Sequence, residues 1–289
     1  MTAKRRRPLA RNIASILERE ELESFAARLE KDARDTIRLH SRLVPEKQIR
    51  IGKSKLGGLP DLPRGFSWPQ GARRKGAAFP LPFVAQIALA DLPKFEDRSL
   101  LPKNGCLSFF CNPRCFWEQE NANWTTNWRV LHFEEPLVRT SIPETMSADA
   151  RWDACALSRT RERTLPDLEC AYFERFQLAT RQRESYAEAQ YNQNANIILH
   201  QLLGWAAYMQ PYALEHSYAR AHPVLFPDEP ALPRSGPART RAMLRGRLLL
   251  QVGSNESGMQ FGRSGRLYFF IREDDLSAKD FSRVWTYEQ

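Results

Sequence analysis

Apolar and polar residues alternate with period two in three stretches near the first third of the chain, and again at its end. In the first stretch Phe83, Ala85 and Ile87 fall on one side of an extended segment, with Val84, Gln86 and Ala88 on the other. Gly105 precedes the second, Cys106-Leu107-Ser108-Phe109-Phe110-Cys111, and the third reads Arg129-Val130-Leu131-His132-Phe133-Glu134. The C-terminal end returns the same phrases in the same order. They are Leu248-Leu249-Leu250-Gln251-Val252, Gly265-Arg266-Leu267-Tyr268-Phe269-Phe270 and Arg283-Val284-Trp285-Thr286-Tyr287-Glu288. The expected fold is therefore mainly β with accessory α (α+β): a duplicated antiparallel β roll with repeats at residues 81–134 and 248–288. Both strand faces are apolar enough to be covered.

Elsewhere the period changes. Between Asn12 and Arg42, residues Ile13, Ile16, Leu17, Leu22, Phe25, Leu29 and Ile37 recur at spacings near three and four, which predicts one or two amphipathic helices. Residues 1–50 read as a basic tail and an N-terminal helical segment, and residues 51–289 as one domain. Gly57, Gly58, Pro60 and Pro63, followed by Trp68-Pro69, preclude regular helix and predict a shaped, extended loop. Residues 140–220 break the β pattern: Ala171 to Asn194 reads as a helix, and residues 222–240, with five prolines, as a loop.

The net charge of +9 raises the question of an acidic partner. Residues 1–50 carry 13 Lys/Arg against 8 Asp/Glu and residues 220–247 carry 6 against 2, so the rest of the chain is neutral. The basicity belongs to one terminus and one linker, and does not suggest a nucleic-acid groove across the sheet. Nucleic acid remains a candidate partner through Lys4 to Arg11 and Arg234 to Arg247, in which case binding weakens steeply with salt. An odd count of five cysteines without a signal-peptide pattern fits reduced thiols and a cytoplasmic location. No apolar run approaches the roughly 20 residues of a membrane span.

Candidate chemistry is sparse. Gln86 and Gln251 hold equivalent places in the two repeats, amid apolar residues, where a buried amide demands a defined partner. Each either caps the backbone of a neighbouring glycine-rich loop or lines a cleft between the repeats, with His200 and Gln210 as further cleft candidates. Cys111 and Cys115 have a permissible spacing for zinc but no second Cys/His pair follows, so neither metal nor cofactor is expected. No nucleophile elbow, His-Glu-x-x-His or complete phosphate-binding loop is present.

Four phrases taken together resemble the YwqG-like family of bacterial proteins of unknown function. They are the Gly57-Gly58 to Trp68-Pro69 loop and the block from Gln86 through Gly105 to Phe110. The others are His200-Gln201-Leu202-Leu203-Gly204 with Gln210, and the terminal run from Leu249 through Gln251, Gly262, Gly265 and Asp275 to Phe281. The resemblance implies a duplicated, mainly-β roll. It implies no reaction, and the association of some members with toxin–immunity gene clusters implies protein binding. An acidic residue usual in that family is here Arg263. The leading expectation is a protein-binding protein, with toxin immunity as one form that role could take. The runner-up is a hydrolase-like enzyme with His200, Gln86 and Gln251 in an inter-repeat cleft, a reading that a buried His200 opposes.

Overall fold

The computed structural model describes residues 22–72, 78–113, 124–194, 200–210, 212–234, 236–262 and 265–289. One antiparallel sheet of ten strands dominates it. In spatial order the strands are β14 (Trp285–Glu288), β13 (Arg266–Arg272), β12 (Gly246–Gly253), β11 (His200–Leu202) and β1 (Arg34–Leu43), then β10 (Cys155–Thr164), β2 (Lys55–Leu56), β6 (Phe83–Ala88), β7 (Cys106–Cys111) and β8 (Trp128–Phe133). Two small sheets lie beside it: β3 (Asp61–Pro63) with β9 (Leu137–Arg139), and β4 (Gln70–Ala72) with β5 (Ala78–Pro80). The helices are α1 (Glu23–Asp32), α2 (Thr180–Asn194), α3 (Ala213–Leu225), α4 (Gly236–Met243) and α5 (Glu273–Ala278).

The two wings of the sheet share a register. Gln86 lies opposite Ser108 and Ala85 opposite Phe109; Gln251 lies opposite Tyr268 and Leu250 opposite Phe269. Each wing has its irregularity at the same place, between Phe83 and Ala85 and between Leu248 and Leu250. An extra residue there increases the local twist and bends the strand. The sheet curls far enough to become nearly barrel-shaped. The rings of Phe109 and Phe269 meet at 5.1 Å, and the Trp128 indole donates to the Val284 carbonyl at 2.7 Å. A core lies inside this curl, with Ile37, Leu56, Leu107, Phe109, Leu250 and Phe269 among its buried members; Trp285 lies on the outer face, against Phe270 and Tyr218 of α3. Phe110 points the other way into a second cluster with Leu62, Leu81, Phe83 and Phe133, as strand alternation requires.

Several expectations need correction. The helical pattern over residues 12–42 holds only for α1; residues before Leu22 lie outside the described set, and residues 34–43 form β1, at the centre of the sheet. Ile37 fits either period, and the period-two run Arg38, His40, Arg42 decides for the strand. Residue 51 lies in the link between β1 and β2. Residues 140–220 do contain a long strand, β10, paired with β1 along its whole length from Arg34 opposite Thr164 to Leu43 opposite Cys155. The helix expected over 171–194 begins only at Thr180, after a 3-10 turn at Phe173–Phe176. Residues 222–240 are not one loop: α3 runs through Pro223 to Leu225, and α4 begins at Gly236. The third repeated phrase is shifted by two: Phe110 faces Arg129 and Phe270 faces Trp285, so Arg129 corresponds to Trp285 rather than to Arg283.

Candidate functional site

Leu56, at the end of the two-residue β2, leads into a turn in which Gly57 and Gly58 both have positive φ, +59° and +68°. A side chain there would be strained by conformation alone. It would also collide, since a Cβ on Gly57 would lie 2.4 Å from the Asp153 carbonyl oxygen, and one on Gly58 would lie 2.7 Å from the Ala154 Cβ. Glycine at these positions lets the segment through Trp152 to Ala154 lie directly on the turn. Beneath it sits a buried ionic cluster. The Lys55 ammonium, wholly buried, reaches Asp61 at 3.2 Å, Glu46 at 3.3 Å and the Leu59 carbonyl. Arg139 closes on the same two carboxylates. Desolvation lowers the Lys55 pKa, with Asp61 and Glu46 opposing that fall. Burial alone would raise the Asp61 pKa, but the Lys55 charge and hydrogen bonds from Arg139, Gln86 and the Gly52 amide bring it below the usual carboxylate value.

Gln86 completes this cluster. Its Oε1 accepts the Asp61 amide at 3.1 Å, and its Nε2 donates to the Lys53 carbonyl at 3.1 Å and to Asp61 Oδ2 at 3.0 Å. The prolines and tryptophan of the loop shape the chain around it. Pro60 and Pro63 accept backbone bonds from Thr140 and Phe66, Pro69 accepts one from Leu81, and the Trp68 indole donates to the Leu81 carbonyl at 2.9 Å.

The same construction recurs three strands away, after β11. Leu203 and Gly204 follow β11 with φ of +59° and +80°. The Gly57 amide bonds Val84 and the Leu203 amide bonds Leu249. The Leu59 amide donates to Glu46 at 2.8 Å, and the Trp205 amide to Thr164 at 2.8 Å. Lys55 donates to the Leu59 carbonyl; Gln201 donates to the Trp205 carbonyl at 2.6 Å. Gln251 accepts the Ala207 amide at 3.0 Å, as Gln86 accepts that of Asp61. A Cβ on Gly204 would lie 2.7 Å from the Thr36 Cβ.

The surroundings of the two turns differ. Trp205 is covered: its indole donates to the Asp32 carbonyl at 2.7 Å, the Arg34 guanidinium stacks 3.6 Å above it, and the Tyr172 ring lies 4.6 Å away. Residues 165–199 link β10 to β11 and carry α2, whose Tyr186 and Ala189 are buried in a cluster with Leu29 of α1 and Phe173. The equivalent link between β1 and β2 is only residues 44–54 and holds no α-helix. Beside Leu59 lies an open groove of about 590 Å³, lined by Leu43, Val44, Pro45, Ile142 and Trp152, with Glu46, Arg151 and Asp153 supplying charge. Trp152 also walls a neighbouring cavity of about 320 Å³, whose lining includes Phe79, Pro80, Pro82 and Met146. Among the described residues neither cavity is lined by His, Cys or Lys.

The four cleft candidates do not converge. Gln86 and Gln251 share the outer face of the sheet but lie five strand steps apart, roughly 24 Å measured along the curled sheet at about 4.8 Å per step. His200, adjacent to Gln201, points to the opposite face and is wholly buried. Its Nδ1 accepts the Gly253 amide at 3.1 Å, which places the proton of the neutral ring on Nε2, 3.3 Å from the Ser41 hydroxyl. That ring is a donor toward Ser41 and has no lone pair there to take its proton. Burial holds its pKa down to about 4. Gln210 is exposed, and its backbone carbonyl accepts from the Gln289 side chain. Gly265 is required by the chain end, since a Cβ would lie 1.6 Å from the Gln289 oxygen; Gly262 has open space and a φ of +52°. Burial raises the Cys106 thiol to about 11 and the Cys155 thiol to about 12. Cys115, Arg263 and Lys4 to Arg11 lie outside the described residues. Of the second basic patch, Arg247 is buried between Asp97 and Glu273, and Arg245 pairs with Asp274.

Sequence reasoning missed Lys55, Arg139 and Trp152. Lys55 stands directly opposite Gln86, so the buried amide was a signal for it. Trp152 had no periodic context to mark it. Residues 54–289 match a family described as a domain of unknown function (DUF1963). Comparison with curated proteins gives no match.

Proposed function

The chain belongs to the DUF1963 family, and on that premise we propose that it is an internally duplicated binding scaffold whose two halves serve different ends. In the half containing Trp205 the glycine turn is covered by the chain itself, through the Asp32 carbonyl, Arg34 and Tyr172. In the half containing Leu59 the groove is left open for another protein. What carries the reading is that contrast: equivalent turns with equivalent hydrogen bonds, Trp205 buried at one and Leu59 half-buried beside a groove at the other. A concave, mostly apolar site with few polar groups suits binding. The wholly buried His200, whose pKa burial holds down to about 4, does not support the hydrolase reading. The YwqG-like resemblance and its association with protein binding point the same way.

The test is affinity capture with the full chain, followed by calorimetric titration of the purified partner. Leu43, half exposed at the groove, should be sensitive: Leu43→Arg should weaken binding by roughly tenfold or more, about 1.4 kcal/mol, while the melting temperature stays unchanged. A partner that binds the variant as tightly as the wild type contradicts the proposal.

A further inference from the structure

We infer that residues 166–177, between β10 and α2, are a pH-dependent latch that acid tightens. It is held against residues 203–215 by the carboxylates of Asp167 and Glu215, and it lays Tyr172 on Trp205. Asp167 bridges the two stretches: its Oδ1 accepts the Glu169 amide at 2.9 Å and its Oδ2 the Tyr208 amide at 3.1 Å. Glu215, in the first turn of α3, reaches back to accept the Ala171 amide at 2.9 Å. The Tyr212 amide donates to the Glu169 carbonyl at 2.7 Å, and its hydroxyl to the Glu174 carboxylate. The backbone is strained on both sides of this contact. Gln177, Leu203 and Tyr212 hold φ of +50°, +59° and +59°, conformations that side chains disfavour and that persist only where the surroundings impose them. Opening the latch would release that strain and lift Tyr172 from Trp205.

Among the described residues neither carboxylate has a cation as ion-pair partner. Glu215 is buried, and its Oε2 has no hydrogen-bond partner. It faces Glu174, Cys170, Tyr208 and Tyr212. Asp167 faces Glu169 and Cys170 of its own turn, Tyr186 of α2, Tyr208, and Tyr268 and Arg266 of β13. Arg266, the one cation of that set, bonds the Ala207 carbonyl at 2.7 Å. A carboxylate desolvated without a counter-charge favours its neutral form. Burial accordingly raises the Glu215 pKa, and it pushes that of the half-buried Asp167 up to about 6, against 3.8 in water. Opening returns both groups to water, where they release their protons at lower pH. The closed latch therefore holds its protons more tightly than the open one. Its extra stability is complete below about pH 4 and is lost as pH rises through about 6.

The experiment is hydrogen–deuterium exchange of the full chain between about pH 5 and about pH 8, corrected for the intrinsic pH dependence of amide exchange. Protection at the amides of Glu169, Ala171 and Tyr208 should fall roughly tenfold over that range through Asp167 alone, measured against the amides of β7. The double variant Asp167→Asn with Glu215→Gln replaces both carboxylates by neutral amides of the same shape. Its protection relative to β7 should not change with pH. Should one substitution prevent folding, as its melting curve would reveal, the other alone should still shrink the fall. A wild-type profile that runs parallel to that of the β7 amides overturns the inference. So does a folded variant that keeps the full wild-type dependence.

Discussion

Gly58 and Gly204 are committed both conformationally and sterically, Gly52 only conformationally. All three have positive φ, but a Cβ at Gly52 has nothing within 4 Å, whereas at Gly58 and Gly204 it would lie 2.7 Å from Ala154 and Thr36. Replacement by alanine at Gly52 should cost about 1 kcal/mol of stability from the left-handed conformation alone. At Gly58 and Gly204 a forced backbone shift adds to this, and the loss should reach about 3 kcal/mol. Urea denaturation of the three variants would measure the difference; equal losses would mean that the turns do not hold the crossing segments. His200 offers a second test at this scale. Its pKa is depressed to about 4 in the folded chain against 6.5 when exposed. The unfolded chain therefore binds the extra proton first as pH falls. The stabilisation of the neutral ring is complete above about pH 6.5 and is lost progressively down to about pH 4. Between about pH 7.5 and about pH 5 the wild type should lose about 2 kcal/mol more than His200→Gln. Parallel pH profiles would show that His200 titrates normally.

At the scale of elements, the strand phrases with a buried amide and a bulge were the legible part. A glutamine amid apolar residues, followed by glycine and Leu-x-Phe-Phe, marked β6–β7 and β12–β13 with their correct mutual register. The central strands β1 and β10 were not legible. Arg34 to Leu43 and Cys155 to Thr164 are rich in arginine and polar residues because part of their outer face meets solvent, as the exposed His40, Ser158 and Thr160 show. Their apolar alternation is correspondingly thin. The two wings meet through Phe109 and Phe269, whose rings touch across the curl. Phe109→Ala and Phe269→Ala should each cost about 3–5 kcal/mol. Their double-mutant cycle should show coupling of about 0.5 kcal/mol or more, as expected for side chains in contact. Strict additivity by denaturant titration would mean that the wings are not packed together in solution.

The whole molecule explains why the candidate site was only half visible. The motif residues Gly57, Gly58, Pro60, Pro63, Trp68 and Pro69 were recognisable, but the cavity they help to shape is completed from distant stretches, by Leu43 and by Ile142 to Trp152. No local pattern joins those stretches. Only the β1–β10 pairing brings them together, and it was that pairing the sequence pattern concealed. Net charge was equally uninformative about the site, since Arg245 and Arg247 are consumed in ion pairs with Asp274, Asp97 and Glu273. The central claim is that one chain carries two equivalent grooves, one self-filled and one open to a partner. Hydrogen–deuterium exchange of the full chain, free and bound to its captured partner, tests it most directly. Protection should rise across residues 43–46, 58–59 and 142–154 and stay unchanged across 161–164 and 203–205. Equal protection in both halves, or protection confined elsewhere, would contradict the account.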